Sequence, residues 1–266
     1  MSILQEGTVA ALALTAALAA TPGQAHAGIL YGIDDATDTL FSIDTTTLVK
    51  TTIGATGVTN GTFGDLAYDS ASGTMYWVAG RNDRSLYRVN LATGAATLIG
   101  NHGLTDAFAL GWTGAALYAQ STTGSVYTLN TTTGVPTLMG SNTVYPGGYD
   151  WNPNTGQLVL LQSGGNGALY SINTANGAAT LLNAGAGFVN DNDIAFDSAL
   201  NAYWAADYSG NLFRFDATTY ARTTALTGIG SVASLELVEA QVPEPGTLAL
   251  LGLGLAGLAV SRRRKQ

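Results

Sequence analysis

A fifteen-residue sequence repeat occurs five times along the chain and limits the folds that the chain can adopt. Its clearest copy is LYRVNLATGAATLIG, residues 86–100, in which two alternating apolar runs flank a turn opened by Asn90 and closed by Gly94. This pattern is typical of an antiparallel hairpin. The central aromatic residues of the copies lie 46, 40, 43 and 43 residues apart; they are Phe41, Tyr87, Tyr127, Tyr170 and Phe213. A period of this length holds about four short strands, so the repeat predicts one closed body.

Two more strands precede each hairpin. The first strand of each unit is predicted at DLAYD (65–69), ALGWT (109–113), GYDWN (148–152) and DIAFD (193–197). The second is predicted at TMYWVA (74–79), AALYAQ (115–120), QLVLLQ (157–162) and NAYWAA (201–206). This order resembles a β-propeller blade, a meander of four antiparallel strands that runs outward from a central channel.

The segments left over at the two ends of the repeat predict a shared blade. ILYGID (29–34), TLFSID (39–44) and VKTTIG (49–54) supply three strands, and SLELV (234–238) supplies the missing inner one. Such a split blade joins the chain ends and removes an open sheet edge. The sequence therefore predicts an all-β fold, a five-bladed β-propeller over residues 28–240 closed by its N- and C-terminal strands.

The inner strands predict how the blades pack. Large residues occupy one position, namely Tyr68, Trp112, Trp151, Phe196 and Leu237. Mostly small residues precede them, namely Ala67, Gly111, Asp150, Ala195 and Glu236. Blades that pack face to face need a small side chain on one sheet opposite a large one on the next. We therefore expect the aromatic residues to pack in the core; stacking on sugars is the alternative. In the hairpin turns, Leu48 and Tyr220 stand where three other copies have glycine, which predicts that these two turns bend differently.

Composition excludes several classes of function. Residues 28–241 carry 16 acidic and 6 basic side chains, a net charge of −10 that repels nucleic acid. The chain has no cysteine, which excludes disulfides, thiolate metal sites and cysteine nucleophiles. Charged residues make up only 11% of the chain, and the turns are rich in Thr, Asn and Gly, so a neutral polar surface suited to sugars is expected.

The N-terminal 27 residues are typical of a secretory signal peptide. An apolar run from Val9 to Ala20 is followed by Ala25-His26-Ala27, a site that signal peptidase could cut before Gly28. The segment departs from the usual pattern because it has Glu6 and no Lys or Arg ahead of the run. We expect residues 1–27 to form a signal helix that is removed on export.

The C-terminal residues 242–266 contain three features in a fixed order. Val242-Pro243-Glu244-Pro245 comes first, then an apolar run at 247–260, then the basic end Arg262-Arg263-Arg264-Lys265. The apolar run has 14 residues, about 21 Å as a helix, and would cross a bilayer of about 30 Å only with help from its flanks or a thinned membrane. It predicts a transmembrane helix whose basic end stays cytoplasmic while the body faces the other side.

This tail resembles the PEP-CTERM sorting signal of Gram-negative bacteria, with all three parts within the last 25 residues. The resemblance implies that an exosortase recognises and processes the tail. It also implies an inner-membrane intermediate that faces the periplasm, followed by release to the cell surface or the exopolysaccharide matrix. An ordinary C-terminal membrane anchor is the alternative.

No catalytic, cofactor-binding or metal-binding set can be assembled from the sequence. His102 is the only histidine left after removal of the signal peptide and is expected to be solvated. The glycine patterns at 228–233 and 252–257 lack the strand and helix that a dinucleotide site needs, and the loop at 190–193 lacks EF-hand spacing. Four carboxylates remain, Asp65, Asp150, Asp193 and Glu236; they could act in pairs on a glycan or bind Ca²⁺, or they could simply accept hydrogen bonds from backbone amides or channel water.

We therefore expect an exported, non-enzymatic binding or structural protein that interacts with polysaccharide or other envelope components. The alternative is a glycan hydrolase or lyase that uses Asp150, Glu236 or their neighbours. A third possibility is a matrix filler without a ligand.

Overall fold

The computed structural model describes residues 28–59, 61, 63–185, 187 and 192–239. The predicted signal peptide (1–27), the sorting residues 242–245 and the predicted transmembrane segment (247–260) lie outside the described residues. In the part that is described, no helix is long and apolar enough to cross a membrane.

The described chain folds into five four-stranded antiparallel sheets arranged as blades around a channel. Blade 1 contains β20 (Val232–Val238), β1 (Ile29–Asp34), β2 (Thr39–Asp44) and β3 (Lys50–Ala55). Blade 2 contains β4 (Gly64–Asp69), β5 (Thr74–Ala79), β6 (Ser85–Val89) and β7 (Ala96–Asn101). Blade 3 contains β8 (Ala107–Trp112), β9 (Leu117–Ser121), β10 (Ser125–Leu129) and β11 (Pro136–Ser141). Blade 4 contains β12 (Pro146–Asn152), β13 (Gln157–Gln162), β14 (Leu169–Ile172) and β15 (Ala179–Asn183), and blade 5 contains β16 (Asn192–Asp197), β17 (Ala202–Asp207), β18 (Asn211–Asp216) and β19 (Arg222–Thr227).

The five-bladed propeller predicted from the repeat is confirmed, including its closure. In blade 1, β20 from the end of the body pairs with β1 from its start, with Leu237 opposite Leu30 and Val238 opposite Ile29. The inner strands β4, β8, β12, β16 and β20 lie side by side around the channel, and β20 returns to β4. The ring is therefore closed by main-chain hydrogen bonds between the two ends of the body.

Apolar side chains fill the space between neighbouring blades. Each of five hydrophobic clusters among the described residues lies between one blade and the next, and the largest fully buried side chains, Trp77, Tyr149, Phe41 and Phe215, belong to four of them. A Cβ on Gly111 would lie 2.8 Å from Leu158 Cδ1 of the next blade. The small residue on the inner strand thus leaves room for the large one opposite, as the alternation predicts.

The outer hairpin turns share one geometry, and the expectation for Leu48 and Tyr220 was wrong. Leu48 and Tyr220 have φ values of 56° and 57°, in the left-handed region also used by the turn glycines. Their amides donate to Asp44 O and Asp216 O, both at 2.8 Å, the same bond that closes the glycine turns. Leu48 and Tyr220 also pack against interblade clusters, and this apolar contact offsets the unfavourable φ.

Glycine is required at the matching turn position where the neighbouring outer strand comes close. Gly94 has a φ of 83°, and a Cβ there would lie 2.3 Å from Gly54 O of blade 1. The sequence signal for the turn is therefore the Asn or Asp that opens it; for example, Asn130 Oδ1 accepts from Thr132 N and Thr133 N, both at 2.9 Å.

Candidate functional site

Four buried acids occupy the channel and bond to inner-strand amides. Asp65, Asp150, Asp193 and Glu236, here called the channel acids, are all at most 7% exposed. An inner strand is the last strand of its sheet, so amides on its channel side have no ladder partner and need another acceptor.

Asp65 joins its own blade to three others. From β4 its Oδ2 accepts from Leu110 N of blade 3 at 2.6 Å and from Tyr149 N of blade 4 at 3.0 Å. Its Oδ1 accepts from Leu66 N at 2.7 Å. Asp65 also shares a side-chain hydrogen bond with Asp193 of blade 5. One side chain thereby ties together blades 2, 3, 4 and 5.

The other channel acids complete the ring. Asp193 Oδ2 accepts from Leu235 N of blade 1 at 2.6 Å, and Asp150 Oδ2 accepts from Phe196 N of blade 5. Glu236 of blade 1 accepts from the backbone of Tyr68 in blade 2. A Cβ on Gly148 would lie only 1.5 Å from Asp193 Oδ1. Glycine is therefore needed at position 148 to leave room for the Asp193 carboxylate.

Burial favours the protonated form of these acids. Desolvation raises the pKa of Asp150 to about 7, and it raises the pKa of Glu236 well above its ordinary value, with the charges of Asp150 and Asp193 adding to the effect. For Asp65 and Asp193, burial again dominates and raises the pKa of both, and their mutual hydrogen bond holds a shared proton.

The carboxylates converge in the structure, and all four channel acids accept hydrogen bonds from backbone amides. Asp65 and Asp193 meet inside the channel, whereas Asp150 and Glu236 reach a cavity at one mouth. Among the described residues, no group of three or more His, Asp or Glu side chains is arranged to hold a metal ion. Of the acidic segment 190–193, residues 190 and 191 lie outside the described residues, and Asn192 and Asp193 begin β16.

The cavity has a volume of about 580 Å³ and opens where the inner strands end. Its walls include the half-buried aromatic residues Tyr68, Trp112 and Trp151, with Phe196 beside them. Each of these side chains also packs against an interblade cluster. The inner-strand aromatic residues therefore serve the core, as expected, and at the same time form an accessible surface that the repeat pattern did not reveal.

Aromatic rings cover the opposite end of the channel, next to the starts of the inner strands. Phe63 stacks on Phe108 and on Tyr208, with ring centroids 5.6 Å and 5.3 Å apart. The guanidinium of Arg81 lies 3.9 Å from the centroid of Phe63 and forms an ion pair with Asp106 at 3.7 Å. The cavity mouth and the aromatic end therefore differ in chemistry.

His102 is buried, so the expectation that it is solvated was wrong. It is 3% exposed, and its Nδ1 accepts from Leu104 N at 3.1 Å. Burial lowers the pKa of His102 to about 4, so the ring is neutral at physiological pH. His102 does not line the cavity.

The C-terminal residues indicate where the protein is located in the cell. Residues 241–265 match the family described as the PEP-CTERM protein-sorting motif. The tail is a PEP-CTERM motif. It marks the chain as a protein that is processed by exosortase and exported through the membrane to the cell surface. The individual roles of Val242, Pro243, Glu244 and Pro245, and of the basic end, stay predictions.

The propeller body resembles solved structures in fold alone. A chain of a nidogen/laminin complex aligns with a TM-score of 0.52 and 10% identity, over 79% of this chain and 97% of that one. A structural genomics protein of unknown function from Bacteroides thetaiotaomicron VPI-5482 aligns with a TM-score of 0.53 and 16% identity, over 78% of this chain and 61% of that one. This chain thus spans less than two thirds of the Bacteroides protein. No curated protein matches the sequence.

Proposed function

We propose that this PEP-CTERM protein is a non-enzymatic propeller that binds polysaccharide on the surface, or in the exopolysaccharide matrix, of a Gram-negative bacterium. Before processing it would be held in the inner membrane by its tail, with the body in the periplasm. The observation that supports binding is the cavity of about 580 Å³ walled by Tyr68, Trp112 and Trp151. Its volume suits a small ligand or a few sugar units, and flat aromatic faces attract the C–H groups of a sugar ring.

The non-enzymatic assignment is supported by the bonding of the acids. Asp150 Oδ1 accepts from Trp151 N at 2.6 Å while Oδ2 accepts from Phe196 N, so both oxygens already have donors. A carboxyl held in this way has a structural role that needs no substrate.

A glycan hydrolase or lyase is the second candidate function. Asp150 lines the cavity, and burial raises its pKa to about 7, a range suited to a general acid. Glu236 lines the same cavity and could serve as its partner.

The binding function is tested by retention of the full-length chain, purified in mild detergent, on a panel of neutral, acidic and amino-sugar polysaccharides. We expect Trp151→Ala to weaken binding to the retained glycan about tenfold, or about 1.4 kcal/mol, because an aromatic face is lost. Trp151→Phe keeps a ring and should bind nearly as wild type does.

The matched control is Leu138→Ala, since Leu138 lies on outer strand β11, is 62% exposed and is absent from the cavity wall. It should bind as wild type does. Retention on no polysaccharide, or equal loss in Trp151→Ala and Leu138→Ala, would rule out glycan binding at the cavity.

A further inference from the structure

We propose that the sugar unit bound in the cavity carries a positively charged amine, as in a glycan of deacetylated amino sugars. This inference rests on the proposed polysaccharide binding and specifies the ligand class of the same cavity. It is drawn from the aromatic wall and from the charges that share the space with it.

The aromatic wall suits a cation on a sugar ring. Tyr68, Trp112, Trp151 and Phe196 bring four π faces or edges to one cavity. Rings of this kind attract an ammonium group through their quadrupole, most strongly for Trp, while they also stack on the apolar face of the sugar. A neutral sugar would use only the second of these attractions.

The ionisable side chains at the cavity are acids. Of the residues that the structure describes, the wall contains Asp69, Asp150, Glu236 and Glu239 and no Lys, Arg or His. Asp69 and Glu239 are held in place at the cavity, where Asp69 Oδ2 accepts from Ser72 Oγ at 2.6 Å and Glu239 Oε1 accepts from Ser198 N at 2.8 Å.

Basic residues whose partners are defined lie elsewhere. Lys50 is 3.8 Å from Asp34, and Arg81 covers the aromatic end of the channel. Within the described part of the chain, a ligand cation would therefore meet acids and rings and no competing cation in the cavity wall. An anionic glycan would be repelled by the same wall.

Binding of a cation should draw protons off the cavity acids. Asp150 has the acids Glu236, Asp193 and Glu239 as neighbours, and the Tyr203 phenol also faces it. Burial raises the pKa of Asp150 to about 7, with the charge of Glu239 adding to the effect. A bound ammonium opposes both effects because it stabilises the carboxylate, so binding at pH 6 to 7 should release a proton.

The test compares two ligands that differ only in the amine. The full-length chain in mild detergent is titrated with a β-1,4-linked glucosamine hexasaccharide and with its fully N-acetylated counterpart, using tryptophan fluorescence and calorimetry in two buffers of different ionisation enthalpy. We expect the glucosamine oligomer to bind at least about tenfold more tightly and to release a proton, because a desolvated cation–π contact and a carboxylate are both gained. The acetylated oligomer should release none.

A conservative variant separates charge from shape. Glu239→Gln keeps an acceptor for Ser198 N but removes the charge, and should weaken glucosamine binding about fivefold while leaving the acetylated oligomer unaffected. Asp216→Asn, at an exposed turn remote from the cavity, should change neither. Equal or tighter binding of the acetylated oligomer would overturn the amino-sugar assignment and leave polysaccharide binding intact. Binding of no glycan on the polysaccharide panel would overturn both.

Discussion

Asp65→Ala is expected to lower the free energy of unfolding by about 3 to 5 kcal/mol, since a buried, hydrogen-bonded charge network loses one partner. Leu110 N and Tyr149 N would both lose their acceptor, and Asp65 is fully buried there. Asp193 would also lose the hydrogen bond that shares its proton. Chemical denaturation of the full-length chain measures the loss.

Two other variants show whether the effect belongs to the channel. Asp65→Asn retains one acceptor oxygen and should fall between wild type and Asp65→Ala. Asp216→Ala removes an exposed turn acceptor for Thr218 N and Thr219 N and should cause a much smaller loss. If Asp65→Ala were no more damaging than Asp216→Ala, the channel acids would not be holding the blades together.

Stability is expected to rise as the pH falls from 7 toward 5. The folded chain keeps protons on Asp150, Glu236 and the Asp65–Asp193 pair at pH values where the unfolded chain has lost them. A raised pKa of an acid therefore contributes stability that is full below its unfolded pKa and is lost as the pH rises through the folded value. For Asp150 this window runs from about pH 4 in the unfolded chain to about 7, and each retained proton changes stability by about 1.4 kcal/mol per pH unit.

Other groups act in the opposite direction. His102 has a pKa lowered to about 4 and contributes stability that is lost as the pH falls from about 6.5 toward 4. The lowered pKa values of Asp44 and Asp216, which accept bonds from turn amides, also favour higher pH, but mainly below about pH 4. His102 alone acts against the raised pKa values of Asp150, Glu236 and the Asp65–Asp193 pair, so we expect the net slope between pH 5 and 7 to keep its sign.

The slope can be measured with denaturation curves at several pH values. Asp150→Asn cannot titrate, so its stability should vary less between pH 5 and 7 than that of wild type by about 1.4 kcal/mol per pH unit. The difference should persist in high salt because the group is buried. A wild-type chain that becomes steadily more stable from pH 5 to 7 would contradict the proton-retaining channel.

The fold could be predicted because its signals are local and repeated. The alternation around each Asn or Asp turn defines the hairpins, and the unpaired ILYGID and SLELV segments can be satisfied only by each other. The turns at Leu48 and Tyr220 could not be predicted correctly, because the left-handed conformation there is stabilised by contacts with an interblade cluster. The sequence holds no local sign of those contacts.

The four channel acids could be singled out in the sequence, but neither their arrangement nor the cavity could be predicted from it. Asp65, Asp150, Asp193 and Glu236 stood out because acids replace or accompany small residues on the inner strands. Their bonds to amides of the next blade depend on how the ring closes. In the sequence, only the glycine at position 148 reflects this packing, because the Asp193 carboxylate lies against it. The cavity was missed because Trp112 and Trp151 show the same sequence pattern as core residues, and only their partial exposure distinguishes them.

The central claim is that the channel acids support the ring while the cavity holds a glycan without cleaving it. It is tested most directly by incubating the full-length chain with the polysaccharide that it retains and measuring the length of the recovered glycan by size-exclusion chromatography. We predict that wild type and Asp150→Asn both bind the glycan and return it at its original length. Shortened chains with wild type, and intact chains with Asp150→Asn, would contradict the claim and assign Asp150 to catalysis.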